Sequence, residues 1–118
     1  MLGHITVDVG LSSPLTGESL AAKALIDTGA TFTTLPKSIA GKLKLVEVTK
    51  RSVRTASGEE VLPESYVIAE VIGEKTVTPV LISEKLDRVL LGVLTLEALA
   101  LKVNPETGKL EKTELFLL

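Results

Sequence analysis

The stretch "ALIDTGATFTTLP", Ala24–Pro36, places a single acid, Asp27, between an apolar run and a Gly-Ala turn. A carboxylate at the end of such a run is costly beside a core unless its surroundings stabilise it. Gly29 permits backbone angles that other residues avoid, which lets the chain fold back and present its amides to the carboxylate. The Thr28 hydroxyl can donate one hydrogen bond and accept others. The turn therefore predicts a carboxylate that is held in place for general acid–base chemistry.

The composition indicates one ordinary folded domain, which we expect to span residues 1–118. Hydrophobic residues make up 45% of the chain and aromatic residues only 3%, so the core has to be built from Leu, Val, Ile and Ala. The net charge is −2, and the scarcity of aromatic rings leaves few platforms for stacking bases. Both features argue against a nucleic-acid partner.

Cysteine and histidine usage limits the chemistry further. The chain has no cysteine, which excludes disulfides, thiolate metal sites and a cysteine nucleophile. Its single histidine, His4, lies in an N-terminal strand pattern, and one histidine is too few for a His-rich metal site. No apolar run approaches the ~20 residues of a membrane span, and the N-terminus has no signal-peptide pattern. We therefore expect a cytoplasmic, soluble protein without a membrane partner.

Alternation of apolar and polar residues is the dominant pattern and predicts short strands joined by turns. The predicted strands lie, in chain order, in "HITVDVGL", "LAAKALI", "TFTTL", "LVEVTKRSVRTA", "VLPESYVIAEVIG", "KTVTPVLIS", "DRVLLG" and "LEKTELFLL". Short helices are predicted in "PKSIAGKLKL" and "VLTLEALAL", the second with Leu94, Ala98 and Leu101 along one side. Pro79 marks its strand as an edge or a bulge. The pattern indicates a small all-β barrel or sandwich.

The C-terminal residues Glu114–Leu118, "ELFLL", are unusually apolar for a chain end. Left exposed, an apolar edge strand of this kind would promote aggregation. The segment is therefore expected either to fold beneath its own domain or to pair with another chain.

Three motifs together resemble the retropepsin-like aspartic proteases, the single-domain relatives of pepsin. "LIDTGAT" is similar to the active-site turn of that family, and "VLLG" at Val89–Gly92, with the helix after it, is similar to the second signature. Between them, "RTASGEEV" resembles the flap, a hairpin that closes over substrate, with its tip predicted at Ser57–Gly58. The resemblance covers nearly the whole chain. It implies a small closed barrel-like all-β acid-protease fold with one or two short helices and one lobe per chain.

The resemblance also implies a homodimeric aspartic endopeptidase that needs no metal and no cofactor. The chain has one Asp-Thr-Gly, whereas two carboxylates have to share a proton for one to act as base and the other as acid. Asp27 of each chain would activate a water between them on the two-fold axis. Thr28 would bond across the axis, Gly29 would face the substrate backbone and Ala30 would line the floor. The C-terminal strand would contribute to the dimer interface.

The remaining implied site residues belong to the flap, the cleft lining and the support of the turn. An extended polypeptide substrate would lie beneath the flap in an apolar lining. The residues implied there are Ala56, Ser57, Gly58, Phe32 and Val53. Leu91 and Gly92 would support the active-site turn from beneath.

The chain departs from the viral pattern on both sides of the site. Viral enzymes commonly have acidic residues after the Gly-Ala of the turn and an Arg after the second-motif Gly, where this chain has Thr31, Phe32 and Val93. The ion pair that braces the viral dimer is therefore missing. The pattern is closer to cellular and prokaryotic members of the family.

Two other functions stay open at the level of the sequence. A peptide-binding or scaffold module could keep the fold and cleave weakly or not at all, although the intact Asp-Thr-Gly argues against it. An unrelated small β-barrel that binds nucleic acid is argued against by the acidic balance. The remaining acids suggest no catalytic role, and we expect them to be solvated or paired with Lys or Arg. The acids in question are Asp8, Glu59, Glu60 and Asp87.

Overall fold

A computed structural model describes residues 5–115 and residue 117. Within these residues the chain forms nine strands and two short helices. The strands are β1 (Thr6–Ser12), β2 (Ser19–Ile26), β3 (Thr33–Pro36), β4 (Thr49–Thr55), β5 (Gly58–Val71), β6 (Glu74–Ser83), β7 (Val89–Leu91), β8 (Leu101–Val103) and β9 (Leu110–Lys112), and the helices are α1 (Lys37–Lys42) and α2 (Val93–Ala98). Neither of the helices in this part of the chain has the length and apolarity needed to cross a membrane.

Six strands close into a barrel in the order β1-β2-β7-β3-β6-β5, because β5 pairs back onto β1. Leu11 of β1 lies opposite Ala69 of β5 at this closure. β4 extends the sheet beyond β5 and forms a long hairpin with it, while β8 and β9 form a separate two-stranded sheet. The predicted all-β class, with a small closed barrel and two short helices, is confirmed.

Alternation in β5 shows why these sequences form barrel strands. From Ser65 to Val71 every second residue is buried in the barrel, and the residues between them are more exposed. The buried cluster consists of Leu, Val and Ala side chains from most of the strands and from the segment around α2. Each fully buried Leu or Val contributes about 1.5–3 kcal/mol, so an aliphatic core of this kind is sufficient without aromatic residues.

β7 brings the two signature motifs together. It runs parallel to β2, with Ile26 opposite Leu91, and antiparallel to β3, with Thr34 opposite Leu90. The end of β2, which leads into the Asp-Thr-Gly turn, therefore lies beside the end of β7, where α2 begins. Segments that are far apart in the sequence thus form one site.

The position of β6 differs from the prediction. β6 is a central strand between β3 and β5, although Pro79 predicted an edge strand or a bulge. Pro79 pairs with Tyr66 of β5, but the ladder with β3 begins one residue later, at Val80. A residue without an amide hydrogen is tolerated here because a strand lies alongside Pro79 on one side only.

The packed face of α2 also differs from the prediction. The helix ends at Ala98, and Leu101 belongs to β8. Leu94 and Ala98 are exposed, whereas Thr95 and Leu96 are buried. A six-residue helix makes less than two turns. Which of its side chains are buried is therefore decided by the contacts at its two ends, and not by an apolar face that repeats along a longer helix.

The C-terminal strand is shorter than predicted. β9 covers Leu110–Lys112 and pairs with β8, and the described residues after it have no strand structure. Leu115 is 77% exposed, and Leu117 is fully exposed, so this chain does not cover these two side chains. His4 and two residues of the predicted C-terminal strand, Phe116 and Leu118, lie outside the described part of the chain.

Candidate active site

The Asp27 turn is fixed by backbone hydrogen bonds around the carboxylate. The Asp27 amide donates to the Leu91 carbonyl oxygen (2.9 Å), which ties the end of β2 to β7. The Gly29 amide donates to Asp27 Oδ1 (3.0 Å). The Ala30 amide donates to the Asp27 carbonyl oxygen (3.1 Å). The turn therefore presents an amide to the carboxylate, as its sequence predicted.

The start of α2 is attached to the loop that follows this turn. The Val93 amide donates to the Ala30 carbonyl oxygen (2.8 Å). The Leu94 amide donates to the Thr31 carbonyl oxygen (3.0 Å). Amides in the first turn of a helix lack partners within the helix, so the loop carbonyls satisfy them. The second motif thus lies directly against the active-site loop.

Gly92 approaches this loop so closely that a side chain does not fit. A Cβ atom at this position would lie 2.5 Å from both the carbonyl carbon and the carbonyl oxygen of Phe32. It would also lie 2.8 Å from the Thr31 carbonyl oxygen. These neighbours are backbone atoms, which cannot rotate away as the end of a flexible side chain can. Contact between the two motifs therefore requires glycine here.

A network of three buried threonines lies beneath the site. Thr33 Oγ1 accepts a hydrogen bond from the Gly92 amide (3.1 Å) and shares one with Thr95 Oγ1 (2.6 Å). Thr95 Oγ1 shares another with Thr78 Oγ1 (2.9 Å). Each threonine is at most 1% exposed, so a hydroxyl left unpaired would be costly. The network joins β3, β6 and α2. It could not be predicted from the sequence, because a threonine in a strand or helix pattern does not indicate which distant hydroxyl it will meet.

A cleft of about 690 Å³ lies between the Asp27 turn and the β4–β5 hairpin. It brings together residues that the sequence analysis placed in the turn, the flap and the lining. These residues are Asp27, Gly29, Ala30, Phe32, Val53, Ala56 and Ser57. The turn and the hairpin therefore face one another across a single space.

Two of the residues predicted for the turn and the flap lie outside the lining of the cleft, as do Leu91 and Gly92, which were predicted to support the turn from beneath. Thr28 is exposed in the isolated chain. Gly58 is the first residue of β5 and lies opposite Thr55, so the hairpin turn consists of Ala56 and Ser57 and not of Ser57 and Gly58. Gly58 has a φ of 120°, which other residues rarely adopt. Glycine is therefore favoured at this position, where the chain leaves the turn and β5 begins.

Apolar side chains from other strands complete the cleft, and the sequence analysis did not assign them to it. They are Leu62 of β5, Leu81 of β6 and Leu90 of β7. Their apolar character is visible in the sequence. The face of the barrel on which each side chain lies depends on the register between neighbouring strands. The sequence of one strand does not determine this register.

The four acids that were expected to be solvated or paired each have a cationic partner. The pairs are Asp8–Lys23 (2.8 Å), Glu59–Arg54 (3.0 Å), Glu60–Lys85 (3.1 Å) and Asp87–Arg88 (3.4 Å). This prediction is confirmed. Across residues 5–115 and 117, no group of three or more His, Cys, Asp or Glu side chains is arranged to hold a metal ion.

Phe32 has partners that the sequence analysis did not identify. The guanidinium carbon of Arg51 lies 4.9 Å from the centroid of the Phe32 ring. Arg51 Nε donates to Glu64 Oε1, and the Glu64 side chain is 4% exposed. The hydrogen bond and the charge of Glu64 raise the pKa of Arg51 above its ordinary value. These contacts connect the active-site loop to the base of the β4–β5 hairpin.

The six-stranded barrel, the Asp-Thr-Gly turn and the apolar-apolar-Gly motif against it define a domain of the acid-protease class. The family model described as "gag-polyprotein putative aspartyl protease" matches residues 16–98. Because this match covers more than half of the sequence, the chain belongs to that family. No curated protein matches the chain.

Solved structures of viral proteases share the fold. The simian foamy virus (mac) protease in solution is 24% identical, with a TM-score of 0.59 over 79% of this chain and 92% of that one. The EIAV protease in complex with the inhibitor HBY-793 is 19% identical, with a TM-score of 0.64 over 98% of this chain and 94% of that one. At these identities the likeness establishes the fold, and with the family match it confirms the predicted retropepsin-like family. A cellular or prokaryotic origin stays a prediction.

Proposed function

We propose that this protein is a homodimeric aspartic endopeptidase in which each chain contributes Asp27 to one shared site. The observation that carries the proposal is the Asp27 carboxylate, which accepts a hydrogen bond from the Gly29 amide and lines a cleft opposite a hairpin. The family of the chain supports the same chemistry. One chain supplies one such carboxylate, which is half of what the reaction requires.

The reaction follows from two carboxylates that face one another across a two-fold axis. At close range they do not both ionise, so they share a proton. The ionised carboxylate takes a proton from a water molecule as the water attacks the carbonyl carbon of a peptide bond. The protonated carboxylate donates a hydrogen bond to the carbonyl oxygen. The tetrahedral intermediate then collapses, the carbon–nitrogen bond breaks, and the leaving nitrogen takes up a proton from the carboxylate pair, which holds the proton removed from the water.

The other residues of the site would orient the substrate and the second chain. Thr28 is exposed in the isolated chain, so a second Asp-Thr-Gly turn can approach it across the axis. The turn of the β4–β5 hairpin, Ala56 and Ser57, would act as the flap tip over an extended polypeptide. The uncovered side chains of Leu115 and Leu117 suggest that the C-terminal residues contribute to the dimer interface.

Substitution of Asp27 by Asn tests the proposed chemistry. Asn has the shape of Asp but cannot exchange a proton, so Asp27→Asn should lower kcat/KM by about 10³-fold or more. The measurement is cleavage of a diverse peptide library between pH 3 and pH 7, followed by mass spectrometry. Asp8→Asn serves as the matched control and should keep full activity, because Asp8 is an exposed acid of β1 that pairs with Lys23 and does not line the cleft.

Two results would count against the proposal. Activity that survives in Asp27→Asn would mean that another group carries out the chemistry. Wild-type protein that binds peptides of the library but cleaves none would instead favour a peptide-binding module with the same fold.

A further inference from the structure

We propose that Glu60 is a specificity-determining residue of the cleft and selects polypeptides with a basic side chain a few residues from the cleaved bond. The cationic group of the substrate would displace Lys85, which pairs with Glu60 in the isolated chain. This inference rests on the proposed function and deepens it, because it names a substrate class that the shared Asp27 chemistry does not determine.

Glu60 belongs to the face of the β4–β5 hairpin that is directed into the cleft. In β5 it lies two residues after Gly58 and opposite Val53 of β4. Directly opposed residues of two strands share a face, and residues two apart along one strand share it too. Val53, Glu60 and Leu62 accordingly all line the cleft. The Glu60 carboxylate would therefore lie beside the path of a polypeptide that passes under the hairpin.

The charges that line the cleft differ in how firmly they are held. Apart from Asp27, they are Arg54, Glu60 and Lys85. The Glu60 side chain is 24% exposed, whereas the Lys85 side chain is 68% exposed and the Arg54 side chain is 78% exposed. A partly buried carboxylate on a strand has little rotamer freedom left to lose, while an exposed lysine or arginine has more. The fixed charge of the lining, beyond Asp27, is thus negative.

Lys85 is a partner that a substrate can replace. Its Nζ lies 3.1 Å from Glu60 Oε1, and it belongs to the loop between β6 and β7. The Lys85 amide donates to Ser83 Oγ (3.1 Å), so the backbone is held in the loop and only the long side chain reaches the hairpin. An exposed lysine that leaves an ion pair regains water and rotamer freedom. A substrate lysine or arginine can therefore take its place without leaving a buried charge unpaired.

An acidic substrate side chain meets the opposite situation. Both cations of the lining already have a glutamate partner, Lys85 with Glu60 and Arg54 with Glu59, its opposite residue in the hairpin. A carboxylate that leaves water for this lining would compete with those glutamates for the same cations and would be repelled by Glu60. Basic side chains are therefore favoured over acidic ones in this part of the cleft.

The two-fold symmetry of the proposed dimer would present Glu60 twice. Each chain supplies one hairpin, so one Glu60 would lie on each side of the shared pair of Asp27 carboxylates. The positions to examine are therefore the outer positions of a substrate, both before and after the cleaved bond.

The test uses the full chain and quenched fluorescent octapeptides that share one frame. The frame is a library peptide that the wild-type protein cleaves, and each position that is not next to the cleaved bond carries Lys, Gln or Glu in turn. Assays are run at about pH 6, where ammonium and carboxylate groups are ordinarily charged. At one or more positions we expect kcat/KM for the Lys peptide to exceed that for the Glu peptide by about 10-fold or more, with the Gln peptide between them.

Charge reversal separates recognition by Glu60 from a structural role of the ion pair. The double variant Glu60→Lys/Lys85→Glu keeps opposite charges on the hairpin and the loop but places the positive charge on the strand. It should favour the Glu peptide over the Lys peptide. Glu60→Gln should reduce the Lys-over-Glu ratio to less than about 3-fold, mainly by raising KM for the Lys peptide while kcat changes little.

Glu84→Gln is the matched control for the loss of one carboxylate. Glu84 precedes Lys85 in the loop, pairs with Lys37 (2.7 Å) and does not line the cleft. The variant changes the net charge by the same amount as Glu60→Gln, so it should keep the Lys-over-Glu ratio of the wild type.

The outcomes separate this preference from the proposed function. Cleavage of the three peptides at equal rates, a preference for Glu, or a Lys preference that survives in Glu60→Gln would each overturn the role of Glu60 and leave the protease intact. If the wild type cleaves nothing at this pH, the frame is a library peptide that binds Asp27→Asn, and binding is followed by fluorescence anisotropy. Tighter binding of the Lys peptide that Glu60→Gln removes in this background would then support the role, whereas equal binding of the three peptides, or no binding, would overturn it.

Discussion

Gly92 shows how strongly one residue can be constrained by a contact that is distant in sequence. Its amide donates to Thr33 Oγ1, and its Cα faces the backbone of Thr31 and Phe32 at a distance that excludes a Cβ atom. The loop that carries Asp27 and the strand end that supports it therefore meet backbone against backbone. Glycine is required at this position by space and not by a special φ angle.

Gly92→Ala should destabilise the protein by about 3 kcal/mol, because the new methyl group overlaps backbone atoms that have to move with the active-site loop. The measurement is the free energy of unfolding by urea denaturation. Gly41→Ala is the matched control, because a Cβ there meets nothing within 4 Å and Gly41 lies in α1. The control should be neutral or more stable by up to about 1 kcal/mol. Equal stability of the two variants would contradict the close approach.

The β4–β5 hairpin is the element whose position decides the shape of the cleft. It is attached to the barrel through β5, and its far end has no place in the barrel core. The ion pair Lys85–Glu60 joins it to the loop after β6, and Arg51 joins its base to Phe32. Because only a few side-chain contacts hold the hairpin, its local opening should require less free energy than unfolding of the barrel.

Gly58→Ala should impair substrate turnover more than global stability. A non-glycine residue at φ 120° is strained by about 1–3 kcal/mol, and the strain falls on the hairpin tip outside the core. Because the tip can relieve most of this strain by opening locally while the barrel stays folded, we expect kcat/KM to fall about 3- to 10-fold while the midpoint of thermal unfolding changes by less than about 4 °C. Gly17→Ala is the matched control, because it also places a side chain at a positive φ, 76°, but in the turn between β1 and β2 and outside the lining of the cleft. Equal activity of the two variants would argue against a flap role for this hairpin.

On the proposed mechanism, the isolated chain supplies half of the catalytic site at the scale of the whole molecule. It provides one Asp27 and leaves Thr28 exposed beside it. Its described C-terminal residues include two leucines that the chain does not cover, Leu115 and Leu117. The viral ion pair at the dimer contact has no counterpart at Thr31 and Val93, so the two chains would have to associate through other contacts.

Mixing wild-type protein with Asp27→Asn distinguishes a shared site from a site within one chain. Random pairing of equal amounts leaves about one quarter of the dimers with two Asp27 residues, so activity should fall to about one quarter of that of the same total amount of wild type. A site completed by one chain would retain about half. The control is sedimentation velocity at the assay concentration. It shows whether the wild type and the variant each form the same fraction of dimer.

The sequence by itself was sufficient for the fold class, the family and the paired acids. Alternating apolar residues specify strands, and the scarcity of aromatic residues specifies an aliphatic core, because both depend on properties of each segment alone. The Asp-Thr-Gly turn was equally accessible, since the Gly29 amide that reaches Asp27 is two residues away along the chain. A hydrogen bond between residues this close in the chain can be predicted from the short segment that contains them.

Only the tertiary structure decided which distant residues meet. The threonine network through Thr95, the stack of Phe32 on Arg51 and Glu64, and the central position of β6 all depend on strand order and register. A shift of register by one residue would move each side chain to the other face, and the free energy that selects the register comes from packing the whole barrel. For this reason the Asp27 turn could be located by reading the chain, but the strand residues that complete the cleft, Leu62, Leu81 and Leu90, could not.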